Sequence, residues 1–148
     1  MIRKIIAAPA LAILATSAAP IAAQDATTQP LSAATSEQDE VKAKAQAVQR
    51  HIDAYRSRDL DRFVATFAPN AQVYANGMVA TGHKQIREFY RLNFAPGAPK
   101  ISIRESGMAG PYVYVTIGYV TKDGNEVCCS YSEYEVIEGK ITYLSASG

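Results

Sequence analysis

The sequence has no excess of charge of either sign: 15 Lys and Arg stand against 14 Asp and Glu, a formal net charge of +1. That balance gives no general pull toward nucleic acid, which needs a basic stripe as its minimum electrostatic footprint. Arg50, Arg56, Arg58 and Arg62 are interleaved with Asp53, Asp59 and Asp61, the pattern of a solvated helix surface. Histidine is scarce, with two in the whole chain. Two histidines without clustered acids provide no metal-ligand spacing, so neither a metal nor another cofactor is expected. Apolar runs are short. The one over residues 5–15 falls well below the ~20 residues that cross a bilayer. Only two cysteines occur, neither near that run, which argues against a lipid-anchored form. What is there is ordinary for a globular protein. With 48% hydrophobic and 20% charged residues the chain reads as neither disordered nor supercharged, and 148 residues make one domain the default.

The N-terminus is read before any fold. Arg3 and Lys4 precede the apolar run, and small residues follow it up to Ala22-Ala23-Gln24. That order predicts a secretory signal peptide over residues 1–23, cleaved after Ala23, against the alternative of an uncleaved anchor. Cleavage removes Arg3 and Lys4 and takes the net charge from +1 to −1. The expected location is exported, periplasmic or secreted, with no membrane contact once the signal is gone. Residues 24–36 are small, polar and proline-containing and predict a disordered tether. The folded domain is expected over residues 37–148.

Ser36 followed by Asp39 and Glu40 suits a helix start. Val41, Ala45, Val48, Ile52 and Tyr55 then recur at alternating spacings of four and three, one stripe of an amphipathic helix with His51 on its margin. Asp59 can cap a second helix that carries Leu60, Phe63, Val64 and Phe67, stopped by Pro69-Asn70. A strand over 71–74, the Asn76-Gly77 turn and a return over 78–80 lead to Thr81. Thr81 caps a third helix over 82–93, with Ile86, Phe89, Tyr90 and Phe94 inward. The rest is strand-like: 101–105, 112–121, a return strand and 141–146. Asp123-Gly124 signals a two-residue hairpin. If the turn closes between Lys122 and Asn125, facing residues have numbers that add to 247. Val113 then meets Tyr134, Val115 meets Ser132, Ile117 meets Ser130 and Tyr119 meets Cys128, all on the inner face. Tyr114, Glu133, Thr116, Tyr131, Gly118 and Cys129 fall on the outer face. The class is α+β: three N-terminal helices packed on a strongly curved antiparallel sheet, a cone.

The run VQRHIDAYRSRDLDRFVATFAPNAQVY, the later GHKQIREFY and the closing EGKI resemble the nuclear-transport-factor-2-like (NTF2-like) superfamily. Within it the residues look most like the SnoaL-like and ketosteroid-isomerase-like branch, over nearly all of residues 40–148. In ketosteroid isomerases a carboxylate moves a proton beside a carbonyl, while a helix tyrosine and a protonated sheet aspartic acid donate hydrogen bonds to the enolate. Aligned through the DLD and FA motifs, the base position falls on Ala75 or Asn76, the tyrosine on His51 and the sheet acid on Ser132. All three groups are changed. The resemblance therefore implies the pocket without that mechanism, and it implies a sheet-to-sheet homodimer, to which Tyr114 and Tyr131 could contribute.

For the residues themselves, one reading makes His51 a general acid/base or carbonyl donor, with Tyr55 and Ser132 as hydrogen-bond partners. The blander reading makes it a helix-margin histidine bonded to the sheet. Phe63, Phe67, Tyr74, Met78, Phe89, Val115 and Tyr134 complete the expected pocket wall, around a small apolar or cyclic molecule. A one-residue slip of its strand would turn Glu133 inward as an alternative base. His83 is expected to be an exposed polar residue. Cys128-Cys129 leaves three readings open: buried inert thiols, an intersubunit bridge through Cys129, or a redox or metal role. A bond between the two is not expected, because adjacent Cα atoms lie closer than the usual disulfide range. Three functions follow: a small-molecule binder, an isomerase, cyclase or dehydratase that uses His51, and a structural dimer module whose cone is filled by its own side chains.

Overall fold

The computed structural model describes residues 29–148. The stretch read as a signal peptide and the first part of the one read as a tether lie outside the described residues. A long helix α1 (Gln29–Arg56), a short α2 (Leu60–Val64), a hairpin β1 (Phe67–Ala75) and β2 (Met78–Thr81), and α3 (Gly82–Tyr90) with its 3-10 extension (Arg91–Phe94) come first. Four strands follow: β3 (Lys100–Ala109), β4 (Tyr112–Val120), β5 (Glu126–Ile137) and β6 (Lys140–Ser147). They form one sheet in the order β2-β1-β6-β5-β4-β3. The α+β class is as expected, with one difference in the sheet. β1 runs parallel to β6, so the sheet is mixed rather than purely antiparallel. The crossover through α3 carries the chain to the far edge, and the β3–β6 meander returns alongside β1 in its own direction.

Several element ends differ from the sequence reading for local reasons. α1 begins at Gln29, ahead of the expected Ser36 cap and within the stretch read as a tether. Val41 and Ala45 are exposed rather than part of the buried stripe, and burial begins at Ala47 and Val48. Asp59 caps α2 as expected, accepting from the Arg62 N–H at 2.8 Å. That helix closes at Val64, and Phe67 opens β1 rather than ending the helix. Thr81 precedes α3 without a hydroxyl cap; its own N–H is held by Gln85 Oε1 at 2.9 Å. The Asn76-Gly77 turn has both φ angles positive, at 52° and 74°, the geometry that asparagine and glycine tolerate.

The β4–β5 hairpin reaches the predicted register by another route. Its turn closes between Thr121 and Asn125, one residue wider than Asp123-Gly124 alone requires, so Tyr119 faces Val127 and not Cys128. A bulge then restores the register, and the pairs Ile117–Ser130, Val115–Ser132 and Val113–Tyr134 stand as expected. In the bulge Cys128 and Cys129 together oppose Gly118. A Cβ on Gly118 would come within 2.6 Å of Glu126 Oε1 and 2.8 Å of Ser102 Oγ, beside the Arg104–Glu126 ion pair.

The core fills the closed end of the cone. Phe63, Phe67, Val73, Val115, Ile141 and Leu144 are almost fully buried there, with Ile86 of α3. Aromatic rings cluster around Phe63, which meets Phe67 and Tyr90 edge to face and His51 and Phe94 at a tilt. Such pairs add to the area they bury.

Candidate functional site

The open end of the cone is not filled. A cavity of about 540 Å³ lies between the sheet, α1 and the α3 extension, within the size range of small-molecule sites. The structure brings His51, Tyr55, Phe63, Met78, Phe89, Ser132 and Tyr134 to its wall. Ala75 and Asn76, where a ketosteroid isomerase would hold its base, also line it. Three expected residues do not. Phe67 is core, edge-on to the His51 ring at 5.0 Å. Val115 is fully buried beneath the helices. Tyr74 follows the alternation of β1 to the outer face, where it packs on Tyr143. Among the described residues, no lining side chain is an Asp, Glu, Lys or Arg.

The sequence reading missed several wall residues. Tyr90, Leu92 and Asn93 come from α3 and its extension, and Ile101, Ile117, Tyr119 and Ser130 come from the sheet. Ile117, Tyr119 and Ser130 had been placed on the inner face by alternation. The sequence does not say where along β4 and β5 the helices stop covering that face.

His51 is 4% exposed, and burial pushes its pKa down to about 3. It is therefore a neutral imidazole. Its Nδ1 lies 2.8 Å from Thr66 Oγ1, and the Thr66 hydroxyl donates its proton to the Phe63 carbonyl at 2.6 Å. Thr66 can then only accept from the ring, so Nδ1 carries the proton and Nε2 carries the lone pair. Among the described residues no buried polar side-chain atom lacks a partner. Nε2, which has none among the described residues, therefore opens on the cavity that His51 lines. Around it, burial pushes the phenol pKa values of Tyr134 and Tyr90 well above their ordinary value. Burial also raises that of Tyr55, with hydrogen bonding to Asn93 and the Arg58 charge opposing it. Tyr119 Oη and Ser130 Oγ are hydrogen-bonded at 2.8 Å.

Glu133 does not slip inward. It pairs with Tyr114 on the outer face and accepts from the Tyr131 hydroxyl at 3.0 Å. His83 is half-buried, its Nε2–H donating to the Phe67 carbonyl at 3.0 Å. The cysteines correct the expectation most. Cys128 and Cys129 are joined in a vicinal disulfide with Cα atoms 3.2 Å apart, neither free nor available for an intersubunit bridge. Both line the cavity. The bulge is the reason: two residues opposing one breaks the alternation that would have sent the second sulfur outward. Among the described residues no group of His, Cys, Asp and Glu could hold a metal, and no helix is long and apolar enough to cross a membrane.

Fold and hollow together define an α+β cone built around a pocket that, among the described residues, is lined by no charged side chain. The SnoaL-like domain model matches residues 48–144, and the chain belongs to that family. Curated proteins offer no match. Among solved structures, a candidate polyketide cyclase from Sinorhizobium meliloti is 22% identical, covering 69% of this chain and 94% of that one at a TM-score of 0.61. A candidate ketosteroid isomerase from Kribbella flavida is 16% identical, covering 72% and 78% at 0.62. An NTF2-like protein of unknown function from Mesorhizobium loti is 18% identical, covering 74% and 94% at 0.63. At these identities the likeness speaks for the fold.

Proposed function

We propose that this SnoaL-like domain binds a small, neutral, largely apolar molecule in its hollow and does not carry out the proton transfer of a ketosteroid isomerase. The observation that carries this reading is an open cavity of about 540 Å³ whose described wall holds no ionised side chain. A charged ligand would lose hydration there without a charged side chain to pair with, whereas an apolar one gains from leaving water. The names borne by similar folds, polyketide cyclase and ketosteroid isomerase, favour a cyclic molecule. The rival reading, an isomerase, cyclase or dehydratase using His51, is the weaker one. A base must hold a proton affinity near the working pH, and that of His51 lies at about 3. A filled, purely structural cone does not fit the cavity.

The reading includes export through residues 1–23 and pairing of two copies through the sheet, where Tyr114 and Tyr131 stack at 5.8 Å. Native mass spectrometry of protein recovered from the periplasm tests these together. The expected result is a dimer of chains starting at Gln24 with a retained neutral ligand. A panel of cyclic ketones separates binder from enzyme. Turnover that His51→Ala abolishes would overturn the binding reading.

A further inference from the structure

We infer that the hollow selects a ligand that donates a hydrogen bond, an alcohol or phenol, over a molecule of the same shape that only accepts, with His51 Nε2 as the receiving atom. This rests on the binding reading above and gives the ligand its chemical class. The polar groups around the cavity differ in how firmly their roles are fixed. The hydroxyls of Tyr55, Tyr90, Tyr134 and Ser132 rotate and either give or take a proton. Asn76 and Asn93 each present a donor and an acceptor. Among the polar side chains of the wall, Nε2 alone is committed to one role; the hydroxyls of Tyr119 and Ser130, bonded to each other, can exchange theirs. The Thr66 hydroxyl is spent on the Phe63 carbonyl at 2.6 Å, and it therefore holds the ring proton at Nδ1, 2.8 Å away. Phe63 and Phe67 pack on the imidazole at 4.2 and 5.0 Å, so the ring cannot turn to exchange its nitrogens without breaking the core.

A ligand that leaves Nε2 unpaired strands a desolvated acceptor. One that offers an O–H satisfies it, and the difference is the asymmetry between a made and an unmade buried hydrogen bond. The pocket thus has the opposite polarity to one that donates to a ketone. A carbonyl oxygen pointed at Nε2 would set two lone pairs against each other.

The probes are 2-naphthol, which carries the donor, and 2-methoxynaphthalene, which has the same rings without it. Binding to the unaltered protein is followed by naphthalene fluorescence. The expected result is tighter binding of 2-naphthol by about ten-fold or more, a difference of about 1.4 kcal/mol. In His51→Phe the preference should vanish while 2-methoxynaphthalene binds as well or better. Thr66 keeps its bond to Phe63 in that variant, so no donor is orphaned. Nitrogen NMR of the unaltered protein gives a readout that does not depend on a variant folding. It should show a protonated Nδ1 and a bare Nε2 whose resonance moves when 2-naphthol is added. Equal binding of the two probes, or a proton on Nε2, overturns the inference and leaves the binding reading standing. If neither probe binds, the binding reading falls and the inference falls with it.

Discussion

His51 is neutral because of where α1 puts it, four residues past Ala47 on the face that meets the sheet, and the chain can be tested through that one ring. Its pKa falls from the ordinary 6.5 to about 3 on folding, so the unfolded chain holds the extra proton between those values. Stability from this group is complete above about pH 6.5 and is lost as the pH falls toward 3. At roughly 1.4 kcal/mol for each pH unit, the loss at pH 4.5 is roughly 3 kcal/mol. Urea denaturation at pH 7 and 4.5 should show this loss in the unaltered protein and a drop smaller by that amount in His51→Phe. Carboxylates contribute equally to both, so the difference isolates the imidazole. The Thr66 hydroxyl is the second half of the device. Thr66→Val leaves the ring N–H without an acceptor in a buried site, which costs roughly 1–3 kcal/mol. The ring can then move its proton to Nε2, and 2-methoxynaphthalene should gain on 2-naphthol. A variant that keeps the original preference would show that something other than Thr66 fixes the tautomer.

The β4–β5 hairpin shows what an element gains from one irregularity. Cys128 and Cys129 share a bulge opposite Gly118, and their bond closes a ring that spans no intervening residue. A crosslink stabilises by limiting the unfolded chain, by an amount that rises with the logarithm of the loop it closes, so this one limits very little. Reduction with a phosphine should leave the melting temperature nearly unchanged. It should quicken amide exchange across 127–130 and alter naphthol affinity, because both sulfurs stand in the cavity wall. A large fall in melting temperature would instead make the bond structural. The same hairpin shows how far the sequence can be read. Alternation along β4 and β5 correctly assigned Ser132 and Tyr134 inward and Glu133 outward. The bulge was invisible, because nothing in Val127-Cys128-Cys129-Ser130 marks an extra residue and the wider turn cancels its effect on register. Phe67 and Tyr74 were misplaced for a related reason. Phe67 continues the apolar spacing of α2 by one turn, yet the chain leaves the helix after Val64, and Tyr74 alternates with the buried Ala71, Val73 and Ala75 of β1, which turns it away from the hollow. The parallel β1–β6 contact depends on the whole crossover, and no local pattern carries it. Thr66, whose hydroxyl sets the imidazole tautomer, sits between helix and strand, where neither period applies.

At the scale of the molecule, the hollow exists because the core packs only one end of the cone, and its mouth is bounded by a segment tied down from below. Arg58 follows α1 with φ at 59°. Its guanidinium donates to the carbonyls of Asn93, Ala98 and Pro99 at 2.5, 2.7 and 2.7 Å and lies 5.7 Å over the Tyr55 ring. One side chain thus fastens residues 93–99 to the end of the first helix, next to Leu92 and Asn93 in the cavity wall. The segment's own bonds are two short turns, Ala95 N–H to Leu92 and Ala98 N–H to Ala95, which shape it without anchoring it. Arg58→Gly separates the clamp from the backbone, since glycine takes the positive φ at no steric cost. Part of the guanidinium is solvated, so the expected loss of stability is modest, about 1–2 kcal/mol. Amide exchange should rise across residues 91–99 and not in β4–β6, and bound 2-naphthol should leave faster. Arg58→Ala should be less stable than Arg58→Gly by a further ~1 kcal/mol, the cost of a Cβ in the left-handed region. If exchange in the segment is unchanged in Arg58→Gly, the mouth is held by its two turns and by the packing of Phe94 on Tyr55, and access to the hollow does not pass through this clamp.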